Sequence, residues 1–279
     1  MLDSIDHIII AVEDICSAKD SYTKLLGFPP TWNGVHPGQG TENVLFPLEN
    51  LYVELLAANG EGPGATMIKS FLELNGEGLS GMALGTSNIE DAKNKLTEME
   101  IDIGDLVSGE GTDSDSNETR TWKNLFLPFS LTRGVFTFFI EHQEGTLPKH
   151  KEDFDAPITR LDHVVINTND PEGLISLYRD KYGIRLALDQ TVEEWGGRML
   201  FFRLNQTTIE VIGKENDNEA EDSLWGLAWV VKDIRATHNR LLTEGVEVTD
   251  VQDGRKLNTL VATVTSHTCN IPTLLIQHL

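Results

Sequence analysis

Cysteine, basic charge and long apolar runs are all scarce in this chain. Only Cys16 and Cys269 occur among 279 residues, and neither belongs to a CxxC pair. That spacing excludes a disulfide framework and a zinc knuckle, and two buried thiols are expected. Lys and Arg number 22 against 44 Asp and Glu, for a formal net charge of −22. So acidic a surface repels phosphate backbones, so nucleic acid and anionic membranes are not expected as partners; it serves solubility or a salty habitat. No apolar run approaches the ~18 residues that cross a bilayer. The opening MLDSIDHIII has neither a basic segment nor a small-residue cleavage site. A cytoplasmic enzyme or binding protein acting on a small molecule is the expectation.

What the chain has in quantity is repetition. His7 recurs as His163, Asp14 as Asp170, Tyr22 as Tyr178, Gly27 as Gly183 and Glu54 as Glu210, every pair 156 positions apart. His and Glu therefore keep one spacing in both copies, although most residues between them differ. A duplicated fold accounts for the constant register. A length of 279 residues suits two domains, and 39% hydrophobic residues support packed cores.

Each copy reads the same way. The β-branched run Ile5–Val12 is a buried strand. Asp14 caps a helix over Ile15–Leu26, which Gly27 ends. Strands follow near Val44–Pro47 and Leu51–Leu56, turning at Glu49-Asn50. In the second copy, strand Val164–Thr168 leads to Asp170-Pro171, a helix towards Tyr182 that stops at Gly183, and strands near Met199–Leu204 and Thr207–Ile212. A shorter pair of units also matches. Gly81–Thr86, Ile89–Met99 and Ile101–Ile103 resemble Gly226–Val231, Ile234–Leu242 and Val246–Val248, and they end in Ile140-Glu141-His142 and Ile276-Gln277-His278. Loops are expected at Asn59–Ala65, Glu110–Glu118 and Lys214–Ser223. The fold class is α+β, with a domain over 1–145 (modules 5–57 and 80–142), an exposed linker over 146–159 holding Pro148 and Pro157, and a second domain over 160–279 (modules 161–213 and 224–279).

A strand histidine has two readings: a core group bonded to a backbone carbonyl, or a ligand. Coupling to a glutamate on an apolar strand sets the second level with the first at His7, because an inward carboxylate is costly unless paired or metal-bound, and leaves His163 with the weaker case. A His and a Glu in fixed relation are the raw material of a divalent-metal site.

Four βαβββ modules in tandem resemble the vicinal oxygen chelate superfamily, which includes glyoxalase I, extradiol dioxygenases and bleomycin- and fosfomycin-resistance proteins. The run His36-Pro37-Gly38-Gln39-Gly40-Thr41-Glu42-Asn43, followed by Tyr52-Val53-Glu54, resembles the signature of its glyoxalase-like subfamily. The resemblance implies that each pair of modules curls into an open, cup-shaped, antiparallel-rich sheet. Ligands would come from first and last strands: His7, Glu54 and Glu141, with a weaker second set of His163, Glu210 and Gln277. Gly81 and Gly226 stand where many members place another ligand. The cofactor implied is a divalent ion, Zn, Mn, Co, Ni, Fe or Mg. His36 and Glu141 are the candidate acid–base residues, and Arg120, Trp122 and Arg133 are candidates to hold an anionic or aromatic substrate. His142 and His278 are expected to point away from the cavity. Trp195-Gly196-Gly197-Arg198 reads as a hairpin of the second domain.

Three functions are compatible with this reading. The first is a metal-dependent lyase or isomerase that polarises a substrate oxygen and abstracts a proton. The second is an extradiol-type dioxygenase, which needs a further neutral ligand such as His36. The third is a metal-free sequestration protein. A monomer or a homodimer is expected.

Overall fold

The computed structural model describes all residues except Met1, Pro37, Glu193–Gly196, Glu215 and Asp217. Pro37 of the glyoxalase-like signature, and Trp195 and Gly196 of the expected hairpin, thus lie outside the described residues.

The first domain begins with β1 (Ser4–Ala11) and α1 (Ile15–Leu26), followed by β2 (Trp32–His36), β3 (Thr41–Pro47) and β4 (Tyr52–Ala58). Asp14 caps α1 by accepting from the Ser17 amide, and Gly27 ends it at φ 85°, a conformation that glycine adopts without a Cβ clash. Then come α2 (Pro63–Asn75), β5 (Gly78–Gly85), α3 (Ile89–Glu98), β6 (Val107–Asp113), β7 (Thr119–Phe126), the short α4 (Phe129–Thr132) and β8 (Thr137–Glu144). The strand order β1-β4-β3-β2-β6-β7-β8-β5 closes into a barrel. The cup expected of the first domain is thus shut, along a seam in which Gly34 pairs with Asp113 and Val35 with Thr112.

The second domain holds β9 (Ile158–Thr168), α5 (Pro171–Ile175) running into a π-helical stretch (Ser176–Lys181), β10 (Arg185–Val192), β11 (Gly197–Leu204) and β12 (Thr207–Gly213). It continues with β13 (Asp222–Val231), α6 (Ile234–Thr243), β14 (Gln252–Asp253), β15 (Thr259–Val264) and β16 (Thr273–His278). These strands form an open sheet in the order β10-β11-β12-β9-β13-β16-β15-β14. The 156-residue register survives in three dimensions. His7 pairs with Tyr52 as His163 pairs with Thr208, and Asn43 with Leu56 as Met199 with Ile212.

Strand alternation sorts the first domain into two faces. Ile8, Ile10, Val53, Leu55 and Phe139 join a core shared with α1 and the second domain. Ile9, Ala11, Leu56, Ala83, Phe138 and Ile140 form a second cluster inside the barrel, which Ile68 of α2 completes. That helix falls partly in the stretch expected to be a loop.

The domains lock together through polar contacts. Arg133, in the left-handed region at φ 57° after α4, reaches into the second domain. Its Nε and Nη2 donate to the two Asp222 oxygens at 2.7 and 3.0 Å, and its Nη1 donates to Asp170 at 2.8 Å. Arg240 of α6 donates to the Lys24 and Leu25 carbonyls at the end of α1. The stretch expected as a linker is exposed over much of its length, and its His150 and Phe154 rings pack against Phe28. The thiols also differ from expectation: Cys16 is exposed, and Cys269 is half-buried, with burial pushing its thiol up to about 12. No helix among the described residues is long and apolar enough to cross a membrane.

Candidate active site

Inside the first barrel, β1, β2, β3 and β4 bring together His7, His36, Asn43 and Glu54. A bulge in the β1–β5 pairing leaves Asp6 without a β5 partner. Asp6 accepts from His7 Nδ1 at 2.7 Å and from His142 Nε2 at 3.0 Å. Burial alone would raise the Asp6 pKa, but these histidine contacts outweigh it and hold the carboxyl far below the usual range. With Nδ1 committed, His7 turns Nε2 towards Glu54 Oε2, 3.4 Å away. The His7 ring is fixed on its other sides by stacking on Tyr52, 4.6 Å between centroids, and by the edge of Phe138. Burial, then the Asp6 carboxylate, raise the Tyr52 hydroxyl well above its ordinary value, so Tyr52 is a neutral wall.

Asn43 links Glu54 to His36. Its amide nitrogen lies 2.6 Å from Glu54 Oε1 and 3.2 Å from His36 Nε2, so both amide hydrogens are committed. His36 Nδ1 contacts the Thr41 hydroxyl at 2.9 Å. This pattern assigns the His36 proton to Nδ1 and a lone pair to Nε2. Burial lowers the His36 pKa, with Glu54 opposing and His7 and Arg120 adding to the shift. The imidazole is therefore neutral at pH 7. Trp122 meets His36 edge-on at 5.9 Å. Gly34 leaves no room for a side chain beside them, since a Cβ there would overlap Trp32 Nε1 and the Asn43 amide oxygen.

The second domain repeats part of this cluster. Asp162 accepts from His163 at 2.9 Å and from His278 at 2.8 Å, and His163 Nε2 faces Glu210 Oε2 at 3.3 Å. Burial raises the Glu210 pKa, partly offset by His163. At the positions matching His36 and Asn43, however, stand Val192 and Met199, so the carboxylate-to-imidazole link is absent.

Three expectations are corrected here. Glu141 does not join His7 and Glu54: its Oε2 accepts from the Ile89 amide at 2.7 Å, at the start of α3. Gln277 does the same for the Ile234 amide of α6 at 2.8 Å. On β8 the inward positions are Phe138, Ile140 and His142, so Glu141 faces the helix outside. For the same reason His142 and His278 face Asp6 and Asp162 rather than pointing away. Arg133 belongs to the domain junction and not to the barrel interior. Sequence reasoning also missed Asp6 and Asp162, although they too recur 156 positions apart.

Two donors of a tetrahedral ion held at ~2.1 Å lie about 3.4 Å apart. The His7–Glu54 and His163–Glu210 separations of 3.4 and 3.3 Å match that spacing and are longer than a charge-assisted hydrogen bond of ~2.7–2.9 Å. A ligating histidine also characteristically donates its other ring N–H to a carboxylate, as His7 and His163 do. Each pair thus offers two protein donors to a divalent ion, one fewer than a catalytic zinc site usually takes from protein. Among the described residues, no three His, Cys, Asp or Glu side chains converge as a ready-made metal cage.

Residues 5–160 match the glyoxalase-like domain, and residues 162–263 match the glyoxalase/bleomycin resistance protein/dioxygenase superfamily. The chain belongs to the glyoxalase-like domain family. Its two-domain vicinal oxygen chelate fold is shared with solved structures of low identity. A variant of 4-hydroxymandelate synthase from Streptomyces coelicolor is 15% identical with a TM-score of 0.68, over 99% of this chain and 93% of that one. A hypothetical protein from Staphylococcus aureus is 13% identical with a TM-score of 0.64, covering 99% and 98%. A fusion of a xylose isomerase-like TIM barrel with 4-hydroxyphenylpyruvate dioxygenase is 15% identical with a TM-score of 0.64, where the match spans 99% of this chain and 49% of that one. No curated protein matches the chain. At these identities the structural likeness speaks to fold alone.

Proposed function

We propose that this glyoxalase-like protein is a divalent-metal-dependent lyase or isomerase of a small oxygenated metabolite, with its active site in the first barrel. The observation that carries the reading is the His7–Glu54 pair, oriented by Asp6 and spaced as two ligands of one ion. Bound there, a metal would polarise a substrate carbonyl oxygen. His36 then serves as the base. It is neutral, and its Nε2 lone pair, which accepts from Asn43 in this structure, is freed when a substrate draws that amide away. It takes the proton from the carbon beside the carbonyl and returns it to the neighbouring atom. The second domain keeps the His163–Glu210 pair without a counterpart of His36 and is not assigned catalysis.

One observation favours a second reading, an extradiol-type dioxygenase. Only Asn43 stands between His36 and Glu54, so a shift of that amide would let His36 join His7 and Glu54 in the set of two histidines and one carboxylate suited to Fe(II) and oxygen.

Solvent-deuterium exchange separates the two. Protein supplied with Zn, Mn, Co, Ni or Fe(II) is expected to wash deuterium into one or more small 2-oxo or 2-hydroxy acids without oxygen uptake, and His36→Gln is expected to slow that exchange at least 100-fold. Oxygen consumption with catechols and no exchange would replace the first reading by the second.

A further inference from the structure

Among the described residues, no carboxylate forms an ion pair with one buried cation of the first barrel, Arg120. Arg133, Arg198 and Arg240 each pair with a carboxylate. Arg120 is 5% exposed, and its Nε has no hydrogen-bond partner. The contacts of its guanidinium are the rings of Trp32 and Tyr52, each 5.5 Å from the central carbon. The chain carries twice as many acids as bases, so the lack of a partner is not a shortage of carboxylates. An ionised side chain in such a place is costly unless paired.

Its position gives that cost a use. Tyr52 touches Arg120 and also stacks on His7 at 4.6 Å. One aromatic ring therefore separates the guanidinium from the His7–Glu54 pair. Trp32 forms a second apolar flank, and Trp122 stands beside His36. A planar cation beside two aromatic rings, with its Nε donor unpartnered, recognises a planar anion through two parallel hydrogen bonds. The guanidinium fork suits phosphate too, but phosphate carries more charge and loses more hydration on burial, so carboxylate is the expected partner at this buried position.

We propose that Arg120 is the receptor for a substrate carboxylate, so the substrates of this barrel are small organic acids. The acid group docks on Arg120, and the oxygen-bearing carbon next along the molecule lies at His7, Glu54 and His36. The second half of this statement rests on the proposed function; carboxylate binding at Arg120 stands without it.

Calorimetric titration tests the assignment with benzoate and pyruvate as probes, benzamide and pyruvamide as their uncharged counterparts, and inorganic phosphate as the competing anion. Wild type, Arg120→Lys and Arg120→Met are compared, with metal content and melting temperature measured on each. At least one acid is expected to bind wild type ten or more times tighter than its amide and tighter than phosphate. Arg120→Met is expected to lose that preference, with Arg120→Lys intermediate and metal content unchanged. Arg120→Met should also melt no lower than wild type, because an apolar side chain replaces an unpaired buried charge; an arginine present only for packing would melt lower when removed. The assignment is overturned if neither acid binds wild type, if acid and amide bind alike, if phosphate binds tighter than either acid, or if Arg120→Met keeps the acid preference. Protein that takes up no metal yet binds the acids through Arg120 would overturn the proposed function and leave this inference standing.

Discussion

Arg133→Met should destabilise the folded chain by about 3–5 kcal/mol, the usual cost of removing one partner of a buried ion pair. The Arg133 side chain is 12% exposed and that of Asp222 is 2% exposed, so the substitution strands a carboxylate that water cannot reach. The guanidinium also bonds Asp170 and the Asp170 carbonyl, so the loss falls on the junction where the domains meet. The effect should be larger than that of cutting the exposed pair of Lys95 and Asp91 on α3, where about 0.3–0.5 kcal/mol is usual. A pH signature goes with it. The hydrogen bond from Arg133 holds the Asp170 pKa below its ordinary value. Its contribution is therefore present at neutral pH and is lost as pH falls through the depressed folded-state pKa. Urea unfolding at pH 7 and at about pH 2, below the ordinary carboxylate value, measures both: wild type should lose stability between them, and Arg133→Met should lose less. An unchanged midpoint for Arg133→Met at pH 7 would show that the junction does not depend on this pair.

Metal affinity should divide the carboxylates of the first domain sharply. Asp6→Asn should weaken binding about 10- to 100-fold, the usual cost of losing a group that orients a ligating histidine. His7→Ala should weaken it further, because Nε2 itself is removed. Glu141→Gln should leave affinity unchanged and stability within about 0.5 kcal/mol. Gln277 already shows that an amide oxygen serves the same helix start in the second domain. Equilibrium competition with a chromogenic chelator gives all three affinities. A large loss in Glu141→Gln would return that residue to the ligand set and contradict the geometry of β8.

The duplicated architecture was open to reading because a repeat constrains register. His7, Glu54 and their partners 156 positions on could be placed without knowing any distance, and the caps at Asp14 and Asp170 announce their helices in short-range chemistry. The phase of β8 was not legible. A shift of one residue exchanges the two faces of a strand, and Glu141 and His142 are both plausible ligands by type. The choice depends on α3, whose first amide claims Glu141 from 52 residues away. Arg133 carried no local signal either, since its partners Asp170 and Asp222 lie 37 and 89 residues distant. The helix α2 starts at Gly62 without a side-chain cap, so its N-terminus lacks the mark that revealed the others. Closure of the first barrel rests on the β2–β6 seam, where backbone pairs Gly34 with Asp113 and leaves no pattern in composition.

His7 and Glu54 are expected to hold a divalent ion inside the first barrel. The most direct test is metal stoichiometry by elemental mass spectrometry, on wild type, Glu54→Ala and Glu210→Ala, each reconstituted in turn with Zn, Mn, Co, Ni and Fe(II). Wild type is expected to retain at least one ion per chain, with one ion lost in Glu54→Ala and the first-barrel ion kept in Glu210→Ala. Wild type that retains no ion, or the same stoichiometry in Glu54→Ala as in wild type, would contradict the claim.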